Sequence, residues 1–278
     1  MIKMNHQSGF TLIEIAIVLL IVGILLGYTV ALLPVQDDLK RYRQVEQDMD
    51  RIVAALVGFA QVNGRLPCPD TSVGGGTIDG SEDQIDTWNV PGGVAGTDGT
   101  MDACDSYYGL LPKVTLGING GADANNNLID PWGQPYRYAV TDVNADVAGS
   151  LDTIIDFVTQ NEIRNEGLPA FIVGASPPDL VICNTAPAAA GNETDCDNAV
   201  EEVFINAVVV IVSTGKFFNA RSNIEAENLE SLHSATPNDT VFIETTRTDS
   251  TGAEFDDVIR WITPAELFTK MIAAEQLP

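Results

Sequence analysis

Gly9–Leu33 reads GFTLIEIAIVLLIVGILLGYTVALL. Apart from Glu14 it is apolar almost throughout, and about 20 apolar residues suffice for a helix to cross a hydrocarbon core. The carboxylate does not suit an ordinary anchor. A charge within a bilayer costs roughly 2.5–3.5 kcal/mol on insertion scales, so it calls for a partner or a function. The alternative is a glutamate close enough to the membrane face to reach water. A secretory signal peptide fits less well. It would have a clearer positive start, a shorter apolar core and a small-residue cut site.

The residues around Glu14 carry a sharper signal. Ser8-Gly9-Phe10-Thr11-Leu12-Ile13-Glu14 follows a short polar leader whose one formal charge is Lys3. This stretch resembles the processing motif of the type IV pilin and type II secretion pseudopilin superfamily. The resemblance implies cleavage between Gly9 and Phe10 by a membrane aspartyl protease, the prepilin peptidase, with N-methylation of Phe10. It also implies that Glu14 directs assembly. The new amino terminus is a cation, and a glutamate on a neighbouring helix can neutralise it inside an apolar bundle. Such a buried pair fixes register more than it adds stability. A contact within one chain, four residues along a helix face, is the other arrangement. Gly23 and Gly27 form a G-x-x-x-G, a spacing that permits close helix packing in membranes.

A second stretch, Asp130–Tyr136 (DPWGQPY), resembles an element of major pseudopilins. Its physical sense is a turn entering a strand: proline fixes φ, Gly133 permits positive φ, and Trp132 can cover a helix–sheet core. Together the two stretches imply an α+β, pilin-like fold. A long N-terminal helix, half membrane and half amphipathic, would pack on an antiparallel β-sheet head with large loop insertions. The expected divisions are a leader (1–9), a transmembrane and assembly helix (10–33), and a periplasmic or extracellular head (34–278). The expected function is a structural subunit of a type IV pilus or type II secretion pseudopilus. The alternative is a minor tip subunit acting as an adhesin or cargo-binding module. Implied partners are like subunits and other pilins in a filament, the prepilin peptidase, an inner-membrane platform and a motor ATPase. The precursor would sit in the bacterial inner membrane with its head periplasmic.

Bulk properties agree with this reading. The 278 residues carry 39 acidic and 14 basic side chains, a net charge of −25. That surface repels nucleic acid, so no nucleic-acid role is expected through bulk charge. Apolar residues make up 45% of the chain, ample for a folded core. Cys68, Cys104, Cys183 and Cys196 all follow the apolar segment, which implies an oxidising compartment and structural disulfides. Pairing Cys68 with Cys104 and Cys183 with Cys196 would close two local polar loops. Three pairings remain open at this level.

Further along, Leu39, Tyr42, Val45, Met49, Ile52, Val53, Leu56 and Ala60 recur at helical spacing, so an amphipathic helix is expected over 35–63. Pro34 should kink or melt it, and Gly64 and Pro67 should end it. Residues 69–106 read as a long loop and 107–278 as the β-rich part. Strands are expected at Thr153–Val158, Ala170–Val173, Leu180–Cys183, Val203–Val212, Thr240–Ile243 and Val258–Ile262. Asn184–Asn198 reads as a surface insert. A short C-terminal helix should start at Pro264 with Thr263 as its cap.

Asp123, Asn125, Asn127 and Asp130 place oxygen donors at close spacing, a candidate calcium loop. The spacing lacks the glycine and distal glutamate of an EF-hand, and Asn/Asp turns commonly form without metal. No enzyme signature emerges. His6 lies in the leader, and His233 alone builds no histidine site. Ser213-Thr214-Gly215-Lys216 lacks the upstream glycine of a phosphate loop and reads as a strand end and turn.

Overall fold

The computed structural model describes residues 11–72, 77–85, 103–141, 157–159, 163–164, 178–186, 195–218, 223–229, 240–250 and 254–277, with the side chains of 27–35 excepted. The chain forms two compact units, Met1–Gln44 and Val45–Pro278. Helix α1, Leu12–Asn63, runs through Pro34 without a break, so the helix does not melt there. A proline removes one donor and crowds the preceding turn, which a helix can absorb by local adjustment. In the first unit every described residue from Leu12 to Leu26 is exposed.

In the second unit, α1 turns its stripe inward. Val45, Met49, Ile52, Leu56 and Ala60 are buried, whereas Leu39, expected to begin the stripe, is exposed. The helix stops where Gly64 takes φ 68°, and its N–H donates to the Ala60 carbonyl. Only glycine adopts that left-handed conformation at little cost.

Among the described residues, nine strands lie beyond α1: β1 (Gln84–Ile85), β2 (Ala103–Cys104), β3 (Tyr108–Leu110), β4 (Arg137–Val140), β5 (Leu180–Cys183), β6 (Glu202–Ala207), β7 (Val209–Ser213), β8 (Val241–Ile243) and β9 (Val258–Ile262). Two short helices complete the described elements, α2 (Asn223–Glu227) and α3 (Pro264–Ala273). An antiparallel sheet has the order β3-β4-β7-β9. A second sheet has the order β6-β5-β8, and its β5–β8 pair is parallel, a departure from the all-antiparallel head expected. β1 and β2 form a small ribbon. The architecture is α+β and pilin-like: a long N-terminal helix followed by a largely antiparallel head.

The two larger sheets share one core. Ala139, Val210, Val212 and Ile259 of the first meet Leu180, Ile182, Ala207 and Phe242 of the second. Strand alternation puts Tyr138, Val209 and Ile211 on the opposite face. The α1 layer covers that face. Arg260, paired with Ile211 across β7 and β9, lies 3.9 Å from Asp50 of α1, and Tyr138 Oη donates to the Pro67 carbonyl just past the helix. Helix α3 completes this layer. Thr263 caps it by accepting from Glu266 N, it buries Leu267, Phe268 and Met271, and Gln61 of α1 donates to its Lys270 carbonyl.

The expected single run Val203–Val212 is instead two strands in two sheets. Asn206 takes φ 66° and Ala207 ends β6, so the chain leaves one sheet and enters the other within two residues. The expected strand Ala170–Val173 lies outside the described residues, as does Thr153–Val158 except for Phe157 and Val158, which are not in a strand. Trp132 is half-buried, and Tyr136 at the end of the same turn is fully buried.

Cys68 is bonded to Cys104 and Cys183 to Cys196. The first bond ties the exit of α1 to β2 and closes the loop over 69–103. Inside that loop, Arg65 grips Glu82 through two hydrogen bonds of 2.7 and 2.9 Å. Asp70 is fully buried and pairs by its backbone with Leu110. Its Oδ2 accepts from Gly80 N, while Oδ1 has no hydrogen-bond partner.

Burial, opposed by the Gly80 and Asp79 N–H groups, pushes Asp70 up to about 6. An acid raised in the folded state favours folding most when protonated. Its contribution is full below the unfolded value of 3.8 and is lost as pH rises through about 6. Asp70→Asn should therefore flatten the fall in thermal stability across that interval. Melting temperatures measured from acid to neutral pH check this, and an unchanged slope would contradict it.

Candidate functional site

Two groups of residues carry chemistry, one in each unit. Gly9 and Phe10 lie outside the described residues. Glu14 stands in the first turn of α1, exposed among exposed Leu12, Ile13, Ile15 and Ile17. Its Oε2 accepts from Thr11 N at 3.2 Å and from Thr11 Oγ1 at 3.1 Å, and Glu14 N donates back to Thr11 Oγ1 at 3.3 Å. This is a capping box, in which a Thr and a Glu three residues apart satisfy each other's backbone donors. The pattern Thr-x-x-Glu ahead of an apolar run was a readable signal for it.

The second group lies at the far end of the four-stranded sheet. Glu225, Asp256 and Asp257 are all buried, and one oxygen from each falls within 4.8 Å of the others. Glu225 comes from α2, and the two aspartates come from the run into β9. Each carboxylate is anchored. Glu225 Oε1 accepts from Asp256 N at 3.0 Å, Asp256 accepts from Lys216 N and Phe217 N, and Asp257 Oδ2 accepts from Asn228 Nδ2 at 2.7 Å.

Asn228 is the hub of the group. It is fully buried, its Nδ2 also donates to the Ile243 carbonyl, its Oδ1 accepts from Ile243 N, and its own carbonyl accepts from Tyr108 Oη. The turn after β7 closes the group. Gly215 takes φ 61°, and a Cβ there would lie 2.5 Å from the Asp256 carboxyl. Ser213 pairs with Val258. That register, run one residue further, sets Thr214 opposite Asp257 on the same face. Thr214 is buried, and its Oγ1 has no hydrogen-bond partner.

Three converging carboxylates in a buried setting repel one another. Burial first, then the Asp257 charge, pushes Glu225 up to about 8. An all-oxygen donor set with one spare hydroxyl is the chemistry that suits a hard divalent cation.

The loop expected to hold calcium is ordered by hydrogen bonds of its own. Asp123 Oδ1 accepts from Asn125 N and Asn127 N, and its Oδ2 accepts from Asn127 Nδ2. Burial raises its pKa, but these hydrogen bonds prevail and hold it below the usual carboxylate range. Asp130 turns the other way. Its Oδ1 accepts from Trp132 N and Gln134 N, and its Oδ2 accepts from Ser213 Oγ at the end of β7. These residues build a turn and lock it to the sheet, and Asn127 Oδ1 is the one buried side-chain oxygen among them without a partner.

Residues 4–30 match the prokaryotic N-terminal methylation motif. This is the prepilin-type motif of type IV pilins and pseudopilins, a structural rather than enzymatic class. The motif supports a pilin-like or pseudopilin subunit, implies prepilin peptidase processing and pilus assembly, and points to membrane anchoring. No curated protein and no solved structure matches the chain. Among the described residues no helix is long and apolar enough to cross a membrane.

Asn228→Ala would strand the Ile243 N–H and carbonyl and strip Asp257 of its donor. Each buried unsatisfied group costs about 1–3 kcal/mol. The variant should therefore lose on the order of 3 kcal/mol of unfolding free energy in a denaturant titration. A loss below about 1 kcal/mol would show that water replaces the amide.

Proposed function

We propose that this chain is a structural subunit of a type IV pilus or type II secretion pseudopilus. It is cut after Gly9, methylated on Phe10 and assembled through its N-terminal helix. The observation that carries the reading is the methylation motif at residues 4–30, set directly on a helix whose described surface from Leu12 to Leu26 is exposed and, but for Glu14, uncharged. Such a surface needs lipid or other helices around it. Assembly supplies the helices, and Glu14 supplies the partner for the new terminal cation of the next subunit. The DPWG turn, locked to β7 through Asp130 and Ser213, favours the pseudopilin branch by resemblance. A second reading is a minor tip subunit that binds an adhesion ligand or secreted cargo. It draws support from β6, one edge of which no described strand covers.

The same proposal includes a divalent cation, calcium by its donor set, held by Glu225, Asp256, Asp257 and Thr214. Bound there, it would neutralise the three carboxylates and tie α2 and the turn after β7 to the start of β9.

Two outcomes are expected. Sheared filaments and envelopes analysed by mass spectrometry should contain a chain beginning at methylated Phe10. Glu14→Gln keeps the capping box, since glutamine serves at that position, but removes the charge. It should be processed yet fail to enter filaments, whereas normal incorporation would show that charge pairing is dispensable. In detergent micelles, calcium should raise the melting temperature of the full chain, a chelator should reverse the rise, and Asp257→Asn should abolish it. At a hundredfold excess over Kd the linkage amounts to about 2.7 kcal/mol. Identical melting curves with calcium and with chelator would remove the cation from the proposal.

A further inference from the structure

Strand β6 is the outer strand of its sheet: β5 pairs with one edge, and no described strand pairs with the other. Its residues divide by face. Phe204 turns inward, its ring 6.1 Å from Trp261 and packed on the core shared by the sheets. Val203 and Ile205 turn outward and are 44% and 47% exposed, and Val200, just ahead of the strand, is 87% exposed. Edge strands normally carry protection such as lysine, proline or a covering loop, because unpaired backbone groups beside apolar side chains recruit another strand. β6 contains no lysine and no proline, and its protection is limited to two register shifts against β5 and the acidic Glu202 at its start.

The outward face continues into an open pocket of about 570 Å³ lined by Asn184, Thr185, Val203, Glu244, Thr245 and Thr246. Among these residues Glu244 is the one charged group. Burial raises its pKa, and Arg247 partly offsets that. Asp195, Asp197, Glu201 and Glu202 stand on β6 or the stretch leading to it, with no Lys or Arg among the described residues from 195 to 207.

We propose that the edge of β6 that no described strand pairs with docks an extended segment of another protein in which apolar and basic residues alternate. The segment adds a strand to β6, lays its apolar side chains on Val203 and Ile205, and brings its basic side chains near Glu201 and Glu202. Charge complementarity selects this occupant. A second copy of this chain would bring a body of net charge −25 and its own Glu201 and Glu202 to the same edge. In strand addition the main chain supplies affinity, and alternate side chains supply specificity. The proposal concerns the folded head alone and does not depend on filament assembly.

The test uses the full chain in zwitterionic detergent micelles and a labelled decapeptide of alternating lysine and valine, followed by fluorescence anisotropy. Three controls accompany it. One peptide has glutamate in place of lysine, and another has the same side chains with alternate backbone nitrogens methylated. The third control is the protein variant Val203→Lys with Ile205→Lys, whose two positions are about half exposed and whose fold is checked by thermal unfolding. The lysine–valine peptide should bind, more weakly as salt rises. N-methylation and the double variant should each weaken it by about tenfold or more. Equal binding of the N-methylated peptide, or of the double variant, would reduce the effect to charge adsorption and overturn the proposal. So would equal binding of the glutamate peptide. Self-association that the double variant disperses would assign the edge to a second copy and also overturn it.

Discussion

Burial of β7 on both faces is the constraint on which the head depends. All five residues, Val209–Ser213, are at most 1% exposed. A strand in that position needs a neighbour on each edge and a layer on each face. β4 and β9 supply the edges, the β6-β5-β8 sheet covers one face, and α1 with α3 covers the other. Tyr138 and Ala139 of β4, on opposite faces and both buried, show that this double cover extends beyond β7. A continuous β-branched run, Val-Val-Ile-Val, suits such a site because stiff branched side chains lose little freedom on packing.

The turn after β7 inherits the strand's rigidity. Ser213 binds Asp130 on one side, and Gly215 opens space for the Asp256 carboxyl on the other. Thr214-Gly215 therefore sits between buried Asp130 and the three-carboxylate group and is positioned by a strand buried along its whole length. The carboxylate group gains its precision from the same source: Asp256 and Asp257 lie just ahead of β9, whose register against β7 runs unbroken from Val209↔Ile262 to Ser213↔Val258. Groups on rigid elements hold ligand geometry better than groups on loops.

The parts of this architecture visible in the sequence were those with local causes. The inward stripe of α1 follows from helical spacing, and its end follows from Gly64. β5 and β9 coincide with their apolar runs, and the Pro264 helix follows from a threonine cap. Less visible were features decided by partners far along the chain. Nothing local says that Val203–Val212 should break at Asn206 and serve two sheets. The pattern looks like one strand because both halves are apolar, and the break is a tertiary demand. The carboxylate group was hidden for the same reason. Glu225 is about thirty residues from Asp256, and Asp256-Asp257 taken alone reads as a polar entry to a strand. By contrast, Asp123 and Asn127 are near in sequence, and that nearness lets them close a turn on each other.

Glu14 shows how a charged side chain at the start of an apolar helix is satisfied within its own first turn. In the single chain, Thr11 satisfies the carboxylate and the carboxylate satisfies the Thr11 N–H. The pair satisfies backbone donors at the N-terminal end of the helix, where none has an intrahelical partner. Such a cap is worth on the order of 1 kcal/mol, small beside the cost of an isolated charge in hydrocarbon. The cap therefore shelters Glu14 without holding it. A cation from a neighbouring chain would find an acceptor that is already oriented and loses only weak hydrogen bonds on exchange. The exposed surface around it, Leu12 to Leu26, offers no competing charge, so a terminal cation brought against this helix meets one carboxylate and one register.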